Sequence, residues 1–142
     1  MDAAAGLLAF KEDSRTAAGL IGSVKSDPFW AVRKSSLEAL AQLKAKNGPA
    51  ALKGACQDPD PQVRAAALVA LGDLKDRTLT DFYKGLFQKD ASYRVQAEAL
   101  RALGKTGDPA VIPFLRQSAS VPSHQNMVKR AAESAIKQLE KK

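Results

Sequence analysis

The sequence predicts an all-α solenoid of about four stacked helix pairs, led by an extra N-terminal helix. Three observations carry this. The apolar content is dominated by 26 alanines and 16 leucines, the strongest helix formers among apolar residues. No stretch alternates apolar and polar residues long enough to argue a strand. A ten-residue frame recurs at a near-constant period: Val63 to Gly72 matches Val95 to Gly104, 32 residues on. The frame appears earlier at Val32 to Leu40, and a degenerate copy follows at Val128 with Ala132, Ala135 and Ile136. Repeats of this period are the signature of stacked supersecondary units.

Taken in order, Ala3 to Phe10 is an apolar segment read as a separate leading helix over residues 1–11. The units that follow are approximately 12–46, 47–75, 76–106 and 107–140, within one repeat domain over 1–142. Each begins with a shorter apolar segment: Arg15–Lys25, Pro49–Gln57, Leu79–Gln88 and Pro109–Ala119. Each continues into a longer helix bearing the Val frame. Asp27-Pro28, Asp60-Pro61, Ser92 and Asp108-Pro109 are start signals. Their side chains can accept from the free N–H groups of a first helical turn, and a first-turn Pro forgoes an N–H that has no intrahelical partner.

On a helical wheel Val63, Ala67, Ala70 and Leu71 share one face. One helix pair cannot enclose that face, so neighbouring pairs must stack on it. The positions predicted to face away are Lys34, Glu38 and Ala41; Ala65, Val69 and Gly72; Ala97, Arg101 and Gly104; Arg130, Ser134 and Lys137. The strip of Ala65, Val69 and Ala97 would suit a peptide or protein partner, with Arg101 and Arg130 at its flank to meet carboxylates.

This pattern of turn Asp, Val-Arg and Ala-Leu resembles the HEAT repeat. The resemblance implies that the second helices line a concave face and that turn Asp and frame Arg form a ladder. Asp27 with Arg33 and Asp58 with Arg64 keep the required six-residue relation. The third copy has Asp90 with Gln96 and the fourth Ser123 with Lys129, so the ladder is expected to fail there. A narrower stretch, Asp27-Pro28-Phe29-Trp30-Ala31-Val32-Arg33, resembles the C-terminal helical region of zinc aminopeptidases of the membrane alanyl aminopeptidase family, though Ala31 stands where Gly is common. That resemblance implies a non-catalytic scaffold and chamber wall, with the catalytic domain of a parent chain as partner and zinc held there.

The chemistry within these residues is sparse. One His excludes His-rich metal cages, and one Cys excludes an internal disulfide. No His-Glu-x-x-His motif occurs, so no catalytic, cofactor or metal residue is assigned. Cys56 reads as a buried structural thiol, His124 as a loop or capping residue, and Asp58 and Asp60 as turn residues. Phe29 and Trp30 are expected to anchor the first repeat by burial, and Phe82, Tyr83, Phe87 and Phe114 to pack in the core.

The net charge of +7 admits a polyanionic partner. Its distribution argues against nucleic acid, since residues 47–90 carry six cations and six anions while residues 91–142 carry nine and four. The function that the aminopeptidase resemblance implies, a C-terminal domain of such an enzyme, is the one expected. The alternatives are a free-standing HEAT protein-interaction module, a basic solenoid akin to HEAT-like DNA glycosylases, and a bilin-lyase-like HEAT protein to which no specific residue points. No signal peptide and no apolar run of membrane-spanning length is read, and no compartment is assigned.

Overall fold

A computed structural model of the chain describes residues 3–44 and 46–141, with side chains from Arg15 onward. Among the described residues there are eight α-helices and no strand: α1 (Ala3–Ser26), α2 (Trp30–Leu43), α3 (Gly48–Ala55), α4 (Pro61–Gly72), α5 (Thr80–Lys89), α6 (Tyr93–Lys105), α7 (Ile112–Ser118) and α8 (Met127–Glu140). Short 3-10 turns lead into α5, α7 and α8. Long and short helices alternate from α2 onward, as the repeat requires. The first pair departs from expectation. Of the leading helix expected over residues 1–11, residues 1 and 2 lie outside the described residues, and residues 3–11 are not a separate helix, because α1 runs unbroken from Ala3. Lys11-Glu12-Asp13-Ser14 contains neither Gly nor Pro, so nothing stops the helix there.

Aspartates start the elements. The carboxylates of Asp27, Asp60, Asp76, Asp90 and Asp108 each accept from the backbone N–H two residues on, at 2.8–3.0 Å. Ser92 Oγ accepts from Val95 N at 3.4 Å and caps α6. These groups satisfy donors that a helix's first turn leaves without intrahelical partners. Asp76 accepts from both the hydroxyl and the N–H of Thr78, which lowers its pKa.

Two compact units divide the chain, Met1–Ala67 and Leu68–Lys142. In the first, α1, α2 and α3 pack on one another, with Ala17, Leu40 and Ala51 at the centre and Leu20, Ile21 and Leu43 around them. In the second, α6 lies against both α5 and α8, and α7 against α8. Its core holds Tyr83, Val95, Leu100, Leu103, Val111, Leu115 and Val128, all at most 1% exposed. Phe87 and Phe114 meet edge to face at 5.8 Å between ring centres, an arrangement aromatic quadrupoles favour. The wheel face Val63, Ala67, Ala70 and Leu71 is buried as expected.

Candidate functional site

The first turn of α2 contains a charged group with three hydrogen bonds. Arg33 Nε and the second guanidinium nitrogen, Nη2, donate to the two carboxylate oxygens of Asp58 at 2.8 and 3.0 Å. Its Nη1 donates to the backbone carbonyl of Asp27 at 2.9 Å. The hydrogen bond to Asp58 raises the pKa of Arg33 above its ordinary value, against the effect of burial. The charges of Asp58, Asp60 and Asp27 add to that increase. These bonds differ from the within-unit side-chain pairing expected. Arg33 bonds the carbonyl of its own turn aspartate and the carboxylate of the next unit's.

The within-unit half recurs. Arg64 Nη1 donates to the carbonyl of Asp58 at 2.8 Å, and Gln96 Nε2 to that of Asp90 at 2.7 Å. Gln96 thus keeps the neutral part of the ladder, which the amide can perform, and lacks the charge for the ionic part. In the fourth copy Ser123 Oγ instead accepts from Val128 N at 2.9 Å.

The predicted contact strip is only partly a surface. Val69 is 41% exposed, and Arg130 is exposed. Arg101 is half-exposed and paired with Glu98 at 3.0 Å. Ala65 and Ala97 are 3% and 1% exposed and offer nothing to a partner. Gly72 and Gly104 are buried too, although the wheel placed them outward. The cause is helix stacking. A Cβ on Gly72 would lie 3.3 Å from the Cα and Cβ of Ala102, and one on Gly104 would lie 2.8 Å from those of Ala135. The frame's tenth position (Gly72, Gly104) therefore faces the next long helix, and the third (Ala65, Ala97) is buried as well. The wheel mistook them for solvent positions.

The aromatic pair was misjudged in the opposite sense. Phe29 is 69% exposed, Trp30 40% and Val32 41%, and Ala31 between them is exposed as well. Phe29 cannot anchor a repeat while most of its ring faces water. Four consecutive exposed apolar residues are rare on a surface that has no partner. Val32 is the clearest case, because its counterparts Val63, Val95 and Val128 are all 0% exposed. Within the first unit a groove of about 510 Å³ runs between α1 and α3, lined by Ile21, Val24, Lys25, Ala50, Ala51 and Gly54 among others.

Cys56 is 1% exposed, its Sγ 3.5 Å from the carbonyl of Leu52, and burial pushes its pKa up to about 12. A thiol so held is protonated and inert at neutral pH. His124 is exposed in the turn before α8. Among the described residues no group of three or more His, Cys, Asp or Glu could hold a metal ion. No described helix is long and apolar enough to cross a membrane.

Sequence reading also missed the contacts that tie the second unit together. Lys105 Nζ donates to Asp73 at 2.7 Å, and Arg77 donates to the carbonyls of Thr106 and Gly107 at 3.2 and 2.9 Å. Their available signal was the repeat itself, since Asp73 and Lys105 occupy equivalent positions 32 residues apart.

Alternating helices, aspartate-started turns and a recurring frame define an all-α repeat protein. Residues 48–137 match the family of HEAT repeats, and the chain belongs to that family. It is 27% identical over 129 residues to the uncharacterized phycocyanin operon protein Z of Pseudanabaena tenuis, covering 85% of this chain and 63% of that protein. The structure superposes on human deoxyhypusine hydroxylase with a TM-score of 0.77 at 22% identity, over 94% of this chain and 46% of that one. That likeness shows the shared fold, an all-α HEAT-repeat solenoid. The chain spans under two thirds of the length of either protein. Neither is named as an aminopeptidase, and the zinc expected in a parent catalytic domain finds no support in them.

Proposed function

We propose that this chain is a protein-binding HEAT module, and that its contact surface includes the exposed edge Phe29–Val32. The observation that carries this reading is the exposure of four consecutive apolar residues, one of them the single Trp. Trp and other aromatic side chains dominate the energetics of protein interfaces, because they remove large apolar area from water at small entropic cost. In the second unit, Val69, Arg101 and Arg130 form a further candidate contact set, the arginines suited to carboxylates. The comparisons support an interaction module better than the wall of a peptidase chamber.

The test is capture of partners from an extract of the native host, followed by rebinding of each purified candidate. Because the Pseudanabaena relative is named for the phycocyanin operon, phycocyanin is the first purified candidate to try. Phe29→Ser/Trp30→Ser should weaken a genuine partner at least about tenfold, the loss of one interface hot spot, while leaving the circular dichroism unchanged. A partner bound equally well by the double variant would remove this edge from the proposal.

A further inference from the structure

Several cations of the second unit are answered within the chain. Arg101 pairs with Glu98 at 3.0 Å, Lys105 with Asp73 at 2.7 Å, and Arg116 with Glu140 at 3.4 Å. Those of α8 are not. The buried face of this helix holds Val128, Ala131, Ala132, Ala135 and Leu139. On the opposite face Arg130, Ser134, Lys137 and the capping residue Lys141 follow one another at helical spacing, and all four are exposed. At 1.5 Å of rise per residue the row is about 16 Å long. Among the described residues Arg130, Lys137 and Lys141 make no ion pair. No acid interrupts the row. Glu133 and Glu140 flank it, and Glu140 is drawn to Arg116.

The needs of the helix itself explain only part of this row. Cations in a last turn complement the helix dipole, which accounts for Lys137 and Lys141 taken singly. Four residues apart, however, they repel each other. Lys129 and Arg130 stand near the start of α8, whose first turn contains no acid. There the positive end of the dipole disfavours a cation.

We propose that the row Arg130, Ser134, Lys137 and Lys141 docks an acidic α-helix of a partner protein, whose carboxylates meet the three cations. This inference rests on the protein-binding reading and specifies the partner's chemistry. The seven- and four-residue spacings of the row are matched by carboxylates on one face of a helix lying along α8. Arg130 offers the planar fork that takes a carboxylate through two parallel bonds. Ser134, small and uncharged, leaves room between Arg130 and Lys137 for the partner to approach. Nucleic acid fits less well, because a duplex spreads its phosphates over two strands and would meet the flanking Glu133 and Glu140.

The probe is a lactam-stapled, Ala-rich peptide with Glu at i, i+4, i+7 and i+11, which serves either helix direction. Its control carries Gln at those places. In about 0.1 M salt, where charges beyond roughly 10 Å are screened, the labelled Glu peptide should bind wild type with a Kd below about 1 mM by fluorescence anisotropy. The Gln peptide should bind at least about tenfold more weakly. Arg130→Glu/Lys137→Glu should cost the Glu peptide at least about tenfold, with circular dichroism unchanged. Lys25→Glu/Lys46→Glu makes the same change of net charge in the first unit and should cost less than about threefold. Arg130→Gln/Lys137→Gln replaces the reversal should that variant fail to fold.

The inference is overturned if wild type does not bind the Glu peptide below about 1 mM, or if the Gln peptide binds as well. It is overturned too if both charge reversals weaken binding equally, since net charge alone would then be acting. A duplex DNA bound more tightly than the peptide, and lost on Arg130→Glu/Lys137→Glu, would make the row a phosphate site. Wild-type self-association abolished by that variant would make a second copy the occupant. Any of these failures would leave binding at the edge Phe29–Val32 untouched, because that edge is tested by its own variant.

Discussion

Replacing Gly104 by Ala is a sharp test of how closely α6 and α8 approach. The new Cβ would stand 2.8 Å from Cα and Cβ of Ala135 and 3.3 Å from its carbonyl oxygen. Carbon atoms rest about 3.5–4.0 Å apart at the van der Waals minimum, so the helices must separate by most of an ångström. The obstructing atoms are backbone and Cβ, with no flexible tail to swing aside. Overpacking of this kind costs typically about 1–3 kcal/mol and sometimes more. Against it stands a gain of about 1 kcal/mol from replacing Gly within a helix. With the obstruction being backbone, the upper part of the cost range applies, and the net loss should be about 2 kcal/mol.

Urea unfolding followed by far-UV circular dichroism would read this as a midpoint lowered by about 1 M, at a slope near 2 kcal/mol/M. Two controls fix the interpretation. Gly85→Ala in α5 meets nothing within 4 Å and should stabilise by about 0.5–1 kcal/mol. Gly72→Ala meets the movable Lys105 side chain at 3.2 Å and Ala102 at 3.3 Å, and should fall near zero. Ala135→Gly in the Gly104→Ala background should recover part of the loss, which a double-mutant cycle would isolate. A Gly104→Ala protein as stable as wild type would refute the close approach on which the stacking argument depends.

Two further predictions follow from the charged and titratable groups. The pKa of Cys56 is raised from its ordinary value of about 8.5 to about 12, so its burial contributes fully below pH 8.5 and is lost as pH rises toward 12. By pH 10 the loss amounts to about 2 kcal/mol, and the stability difference between wild type and Cys56→Ala, followed by urea titration at each pH, should change by that amount; a difference independent of pH would contradict the buried thiol. Asp58→Ala should lower the thermal midpoint more than Lys105→Ala, because it leaves Arg33, 13% exposed, without its carboxylate, whereas Asp73 is 65% exposed and well solvated. Equal midpoints for the two variants would make the Arg33–Asp58 bond an ordinary surface pair.

The helices were legible because their signals are local. Asp60-Pro61 and Asp108-Pro109 mark starts through hydrogen bonds spanning two residues, and the Val63–Leu71 face follows from a 3.6-residue period. The contact strip was not, for a reason tied to Ala and Gly. Their small side chains give a wheel little hydropathy to sort, so Ala97 and Gly104 looked the same against water or against α8. The exposure of Val32 was hidden for another reason. Its sequence context matches that of Val63, and only the neighbouring helix decides which of the two is buried. Nor could the sequence show that the Arg33 bond runs to the carbonyl of Asp27 and leaves its carboxylate to accept from Phe29 N.

The close approach at Gly104 bears on how such a protein can vary over time. At Gly104 the first atom of any side chain would meet the backbone of α8, so that position is closed to drift unless Ala135 changes with it. At Gly85, where a Cβ would meet nothing within 4 Å, drift is open to single substitutions.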